Sequence, residues 1–389
     1  MPVNEDYFRI LRGRFAGPRF NAMFLFVTSR CNSLCRTCFY FDKLNSRDDM
    51  SFDQIRRISE TAPPFAKLWL SGGEPFLRPE LGRIVPMFAE NNGVRNVNLP
   101  TNGLLPDKIF AAVDEMLAGT PETVSIDLNF SLDGLANTHD AIRGVPNNFV
   151  RTIETMRLAA ERYRGVKRLR RNVATVITRE NHQEVVELGL RLAENANLSG
   201  HYFEPMRGQG PDPALKTLTR ERLAELHARL MPLHRHYARK LFDYLPRPAR
   251  AIAMAYYLGN LRLYFDIHER CLEAPEKWPM RCTAGDTTIV VDHDGKFRSC
   301  ELREPVGSLR DHDYDVRAAL ASTAMRTEVR NISHANCWCT HSCFIHESSK
   351  AFPRVQLFAI PYAWWRDRSK RSLELSTEET ERFRALEIA

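Results

Sequence analysis

The chain has 389 residues, 43% of them apolar and 26% charged, a composition that buries a sizeable core and excludes wholesale disorder. Its net charge of +7 permits an acidic partner without requiring one, and no nucleic acid is expected. No run of eighteen apolar residues marks a membrane span, and the opening MPVNEDYFRILRGRF lacks a secretion signal's apolar stretch, so a cytoplasmic location is expected.

Taken in chain order, strand-like runs fall at 22–28, 67–71, 94–99, 123–131, 172–178 and 200–205. Segments of helical period lie between several of them, among them FVRTIETMRLAAERY and EVVELGLRLAEN. Ser51 and Gln54 form a capping box ahead of one such helix. Strands alternating with helices predict an α/β fold with a parallel sheet curved into a partial barrel. In such sheets the chemistry collects at the carboxyl ends of the strands. The basic run RYRGVKRLRR (162–171) reads as a solvated face. A Pro/Gly-rich patch, PMRGQGPDP (205–213), closes this region, and helices follow at about 217–243 and 249–264, separated by LPRP. His227, His234 and His236 in these helices do not have the setting of a metal site. Between Cys282 and Cys300, apolar-alternating arms flank Asp294-Gly295, a hairpin signal. AWWRDRSKR (363–371) mixes aromatics with cations; it suits either a membrane surface or, the favoured reading, local packing of Trp364 and Trp365. The stretch from Ser372 reads as a polar helix or tail.

These elements divide the chain into an N-terminal segment (1–21), a core (22–210), a helical linker region (211–265), a smaller cysteine-rich α+β unit of hairpin plus helix (266–350) and a C-terminal extension (351–389).

Nine cysteines, an odd number in a reducing compartment, point to metal or redox chemistry rather than disulfides. Three lie at Cys31, Cys35 and Cys38, directly after the first strand; the other six lie between Cys271 and Cys343. Three thiolates on one loop can cap three irons of a cubane and leave the fourth open. A structural zinc would need a fourth ligand, and no histidine lies near this loop.

CNSLCRTC resembles the cluster-binding loop of the radical S-adenosylmethionine (radical SAM) superfamily. SGGEP (71–75), LPTNG (99–103) and SLDG (131–134) with HDAIRG (139–144) follow in that family's order, at the ends of the second, third and fourth strands. The resemblance covers roughly residues 20–210 and implies a partial (β/α)6 TIM-like barrel that binds a [4Fe–4S] cluster and S-adenosylmethionine (SAM). Gly72 and Gly73 permit close backbone approach, and a carbonyl there is suited to accept from SAM's ammonium. Glu74 fixes and Pro75 stiffens that loop. Ser131 and Asp133 are the implied ribose contacts, Asn102 a polar contact, and Arg143 a partner for the SAM carboxylate. The residue before the third cysteine, usually aromatic in this family, is Thr37 here; Phe39 or Tyr40 is left to supply the surface against adenine.

The second group, Cys282, Cys300, Cys337, Cys339 and Cys343, offers four thiolates for an auxiliary [4Fe–4S] cluster, with zinc as the alternative. The spacing of Cys282, Gly295 and Cys300 resembles the SPASM and twitch extensions of radical SAM enzymes, and six cysteines fit the shorter, one-cluster twitch type. Cys271, eleven residues before Cys282, is a sixth candidate ligand, outside the favoured set. His341 and His346 read as solvated loop residues. Glu301, next to Cys300, occupies the position from which an acidic residue takes the substrate's proton in some family members.

The resemblance implies an oxygen-sensitive oxidoreductase that cleaves SAM reductively and abstracts a substrate hydrogen atom. The expected reaction is net oxidation of a small molecule such as a sugar or cyclitol, with the auxiliary cluster as electron acceptor or substrate anchor. The alternative is maturation of a ribosomally made peptide by crosslinking, epimerisation or oxidation. A reductase, ferredoxin or flavodoxin is the expected electron donor.

Overall fold

The computed structural model describes residues 19–273, 278–334, 337–369, 378–379, 381–382 and 385. The expected N-terminal segment and the polar stretch from Ser372 lie largely outside them. β1 (Ala22–Thr28) is buried along its whole length, as a strand covered on both faces must be. Met23, Leu25 and Val27 join the apolar layer under the barrel's helices. Phe24 and Phe26 face the other way, with Tyr40, Val290 and Phe344.

Five parallel strands follow: β2 (Lys67–Gly72), β3 (Asn96–Thr101), β4 (Ser125–Ser131), β5 (Leu169–Ile177) and β6 (Gly200–Pro205). Helices α1 (Phe52–Thr61), α2 (Leu81–Asn92), α3 (Pro106–Gly119), α4 (Ala136–Arg143), α5 (Asn148–Arg162) and α6 (Val185–Asn195) connect them. Both bonds of the Ser51–Gln54 capping box are present ahead of α1.

β5 begins three residues before the apolar run, inside the basic stretch: Arg162, Arg164 and Lys167 are exposed as a solvated face requires, whereas Arg168, Arg170 and Arg171 are drawn into the structure. Arg170 pairs with Asp127 at 2.6 Å, Arg168 donates to Thr120 Oγ1 at 2.7 Å, and Arg171 is buried against the carbonyl of Tyr163. Strand alternation sends Arg170 toward the barrel, where it stays partly exposed, and Arg171 under α5, where it is buried.

α7 (Arg220–Leu241) and α8 (Arg247–Glu273) come next, α8 running past 264 far enough to include Cys271. β7 (Thr288–Val291), β8 (Lys296–Arg298) and β9 (Gly307–Ser308) then continue the barrel's own sheet, in the order β6-β5-β4-β3-β2-β1-β7-β8-β9. β7 lies parallel to β1, Ala22 opposite Thr288, and β8 and β9 add antiparallel. The hairpin therefore covers the edge that β1 would otherwise expose.

α9 (Val316–Ala321), α10 (Thr323–His334) and α11 (Ser342–Lys350) follow, and a π-helical turn at Val355–Ala359 leads into α12 (Ile360–Ser369). Trp365, expected to pack locally, is 60% exposed on α12, whereas Trp364 abuts Gly259 of α8.

Glu347 on α11 is buried and joins Lys67 at the start of β2 (2.5 Å), Lys350 (3.5 Å) and Asn21 (2.9 Å). Burial opposes its ionisation, but Lys350 and Lys67 outweigh that and hold the carboxyl well below its usual range. A depressed carboxyl stabilises the fold above the unfolded-state value of about 4.3 and loses that contribution as pH falls. Glu347→Gln is expected to cost about 2–4 kcal/mol at neutral pH. The thermal midpoint reports it: lower than wild type at pH 7, with the gap closing progressively below about pH 4. Equal midpoints at pH 7 would show that α11 is anchored elsewhere.

Candidate functional site between two cysteine clusters

Cys31, Cys35 and Cys38 lie on the loop leaving β1, each within electrostatic reach of another. Burial pushes the Cys31 thiol up to about 12 and that of Cys38 to about 11. The glycines after β2 are required by this loop. A Cβ on Gly72 would stand 2.1 Å from the carbonyl oxygen of Thr28, and one on Gly73 would stand 2.1 Å from that of Arg30. Gly73 N donates to Thr28 O (2.9 Å) and Glu74 N to Arg30 O (2.7 Å). Pro75 is buried and opens a single 3-10 turn.

The Glu74 carboxylate accepts from Asn102 N (2.7 Å) and Thr101 Oγ1 (3.0 Å), lacing the ends of β2 and β3 together. Burial raises its carboxyl to about 7 against those donors. Asn102 turns its amide to the cysteine loop, donating to Asn32 Oδ1 (2.7 Å) and Ser33 Oγ (3.1 Å).

Asp133 also faces inward. It is fully buried, accepts from Val176 N at 2.8 Å and pairs with Arg143 Nε at 2.7 Å. Arg143 brings Nη1 to 3.8 Å from Cys35 Sγ. Both charges are thus committed inside the protein: Asp133 aims Arg143, and Arg143 faces the cysteine loop. Ser131, half-buried, retains access to the barrel mouth. Tyr40 is buried, bonded to His293 Nδ1 at 2.6 Å and tilted on Phe26, so of the two aromatics only Phe39 keeps a partly open ring.

In the second group the hairpin does bring Cys282 and Cys300 together. Cys339 senses Cys282, Cys337 and Cys271, and Cys300 senses Cys339 and Cys282. Cys271 Sγ lies 3.6 Å from the Cys339 carbonyl oxygen, so this thiol, set aside in the sequence, sits with the others. Its signal was legible: Leu263, Ile267 and Cys271 form one apolar stripe at helical spacing. Cys343 has different charged neighbours, chiefly Glu204, Arg207 and Glu301. Burial raises the thiols of Cys282 to about 11 and Cys339 to about 12. Among the described residues no three His, Cys, Asp or Glu side chains converge as a single-ion site; tetrahedral zinc would hold its sulfurs within about 4 Å of one another. Gathered thiolates are soft donors suited to an iron–sulfur cluster or to zinc.

His341 is fully buried and His346 half-buried. α11 packs against β1 through Phe344 and Phe24, 5.3 Å between ring centroids, which brings both imidazoles against the core. His346 bonds Tyr264, and His341, fully buried, bonds the Glu301 carboxylate. Glu301 is likewise buried rather than at a solvated edge, with Arg207 Nη2 at 3.5 Å. Burial opposes its ionisation, but Arg207 and His341 outweigh that and hold the carboxyl below its usual range.

Arg207 is the residue the sequence reading missed. It pairs with Glu204 at 2.9 Å, and its guanidinium lies 5.1 Å over the ring of Phe39, next to Cys38. It thereby connects a side chain beside one cysteine group to a carboxylate beside the other. Its position just past the carboxyl end of β6 was the available signal.

Across the barrel's inner face, register places Phe24, Trp69, Asn98, Asp127 and Arg170 in one row. Phe24 and Trp69 stack at 4.4 Å, and Asn172 donates to Asp127 at 3.1 Å. Tyr202, also inward-facing on β6, remains 41% exposed, so this face borders accessible space.

Residues 25–192 match the sequence profile of the radical SAM superfamily. The chain carries a radical SAM domain. Such a domain implies a [4Fe–4S] cluster and SAM, and the three loop thiols at the end of β1 are the donor set that fits the cluster. A GTP 3′,8-cyclase of Geobacter sulfurreducens is 36% identical over 132 residues, which cover 32% of this chain and 38% of that protein. GTP 3′,8-cyclase 1 of Mycobacterium tuberculosis is 27% identical over 235 residues, covering 54% of this chain and 60% of that protein. The chain thus spans less than two thirds of either relative.

Among solved structures, anSMEcpe with bound AdoMet and Cp18Cys peptide superposes with a TM-score of 0.53 at 16% identity, covering 95% of this chain and 97% of that one. SuiB of Streptococcus suis bound to precursor peptide SuiA gives 0.55 at 14% identity, covering 91% and 76%. At these identities the likeness is one of fold. No helix among the described residues is long and apolar enough to cross a membrane.

Proposed function

We propose that this radical SAM protein catalyses a net two-electron oxidation of a small polar molecule held in the barrel lumen. The observation that carries the reading is Arg207, which reaches from Phe39 beside Cys38 to Glu301 beside Cys300. In this reading the core of residues 22–210 binds SAM, with Cys31, Cys35 and Cys38 as its cluster ligands. The unit of residues 266–350 carries an auxiliary cluster, with ligands drawn from the gathered thiols of Cys271, Cys282, Cys300, Cys337, Cys339 and Cys343. When bound, the reduced first cluster and SAM supply a 5′-deoxyadenosyl radical that removes one substrate hydrogen atom, and the auxiliary cluster supplies an acceptor for the electron left behind. An external reductase or ferredoxin-type donor provides the first electron.

The chain's own residues do the rest. Glu301, kept ionised by Arg207, takes the hydroxyl or amino proton, so that a C–H and an O–H or N–H bond are exchanged for a C=O or C=N bond. Gly72 and Gly73 let the β2 end close on the cysteine loop, and Phe39 offers the surface for the adenine. Ser131 is placed for the ribose. The paired strands and α11 exclude water from the reacting carbon.

The substrate class follows from the lumen row. Amide and ion-pair groups beside an aromatic stack suit a polyhydroxylated or amino-bearing ring such as a sugar or cyclitol. Among the described residues Arg143 pairs with Asp133, Arg170 with Asp127 and Arg207 with Glu204 and Glu301, an arrangement that favours a polar ring over the triphosphate in the relatives' name.

Anaerobically reconstituted protein is expected to hold about eight irons per chain. Aminocyclitols or sugars should stimulate 5′-deoxyadenosine release, whereas GTP and cysteine-containing peptides should not. About four irons would remove the auxiliary cluster, and stimulation by GTP or by a peptide with the polyols inert would replace the substrate class.

A further inference from the structure

Two consecutive residues of the β7–β8 hairpin turn grip the chain that leaves the first cysteine loop. His293 is the centre of this grip and is 3% exposed. Its Nδ1 lies 2.6 Å from the Tyr40 hydroxyl, and its Nε2 lies 2.8 Å from Ser46 Oγ and 3.2 Å from Asp48 Oδ1. Its carbonyl oxygen accepts from Met50 N at 2.7 Å. The preceding Asp292 pairs with Lys43 at 2.9 Å. The turn thus reaches across 253 residues of sequence to Tyr40, two residues past Cys38.

The partners fix the state of the imidazole. The Asp48 carboxylate only accepts, so Nε2 carries the proton, and Nδ1 of the neutral ring is left to accept. Burial pushes the Tyr40 hydroxyl above its usual range and keeps it protonated, so Tyr40 is the donor to Nδ1. The other end of the tyrosine is held by Phe26, whose ring centroid is 4.5 Å away. Tyr40 is therefore fastened both at its ring and at its hydroxyl.

Phe39 takes its place from this neighbour. Its ring meets that of Tyr40 edge-on at 6.4 Å and remains partly open on the other side, under the Arg207 guanidinium. The peptide between the two residues is rigid, so holding Tyr40 inside limits where the Phe39 ring can project. The earlier part of the loop is held by the barrel itself, through the carbonyls of Arg143 and Ile142 and the Asn102 amide. The two halves of the loop thus have different supports, and the support nearest Phe39 comes from the hairpin.

We propose that His293 is a positioning residue of the SAM site, holding Tyr40 so that the Phe39 ring lies against the adenine. The proposal rests on the reading of Phe39 as the adenine surface, and the identity of the oxidised substrate plays no part in it. It makes the hairpin turn of the cysteine-rich unit a working part of the SAM site in the core.

The test is equilibrium dialysis of SAM against the anaerobically reconstituted full chain, with neither substrate nor reductant present. His293→Leu, which removes both ring nitrogens, is expected to weaken SAM binding by about tenfold or more with its iron content unchanged. Tyr40→Phe, which removes one hydroxyl and keeps the ring, should weaken it by about fivefold. His293→Asn keeps an acceptor near the Nδ1 position and should recover most of the affinity. Asp315→Ala removes the side chain that caps α9 in the same unit. It should lower the thermal midpoint while leaving SAM affinity within about twofold of wild type. Wild-type affinity in His293→Leu overturns the proposal. So does an equal loss in Asp315→Ala, which would make the effect one of general stability, or a loss of about four irons in His293→Leu, which would place it on Cys38. A wrong reaction or substrate class shows only in the 5′-deoxyadenosine assay and leaves these binding constants unmoved.

Discussion

Replacing Cys31, Cys35 and Cys38 together by alanine is expected to abolish 5′-deoxyadenosine formation completely and to remove about four irons per chain. The loop's course is set by contacts other than these thiols. Leu34 N and Arg36 N bond the carbonyls of Arg143 and Ile142, Cys31 N bonds Asn45 Oδ1, and Asn102 clasps Asn32 and Ser33. The triple variant should therefore keep its fold and its second set of thiols while losing the chemistry. Persistent SAM cleavage in that variant would discard the assignment of this loop. Loss of all iron would instead mean that the two cysteine groups assemble only together.

Glu301→Gln is expected to separate two steps that the wild type couples. The amide keeps the shape of the side chain and a contact for His341 and Arg207, but it accepts no proton. Product formation should fall by about 10²–10⁴-fold, the range for a removed general base, while reductive cleavage of SAM continues. The readout is the ratio of oxidised product to 5′-deoxyadenosine. An unchanged ratio would reduce Glu301 to a structural partner of Arg207, and loss of SAM cleavage would place its effect on the first cluster instead.

The site could be read in the sequence to very different depths. The CNSLCRTC loop and the SGGEP, LPTNG and SLDG motifs are short, contiguous and set at strand ends, so alternation and spacing locate them. The hairpin at Asp294-Gly295 is equally local, and it brings Cys282 to Cys300 as its geometry requires. The roles inside those motifs were less accessible. Gly72 and Gly73 read as room for a ligand, whereas the nearest atoms to their missing side chains are backbone oxygens of the cysteine loop. Asp133 and Asn102 read as ligand contacts, whereas their polar atoms are used within the protein. His341 and His346 looked like loop residues because nothing in CWCTHSCFIH announces that α11 packs on β1.

What the amino-acid order alone determined is the set of features that depend on near neighbours: six alternating strands, a three-cysteine loop after the first, a hairpin joining two later cysteines, and hence the barrel and its cluster chemistry. Only the tertiary structure decided which groups face one another. It extended the barrel's sheet through β7 and packed Cys271 into one cluster with Cys282, Cys300, Cys337, Cys339 and Cys343. It placed Arg207 against Glu301, 94 residues away, and turned Phe358, Tyr362 and Trp365 outward along the π turn and α12. The reason is physical: spacing and turn chemistry act over a few residues of chain, whereas burial and ion pairing depend on which distant surfaces the packed core brings into contact.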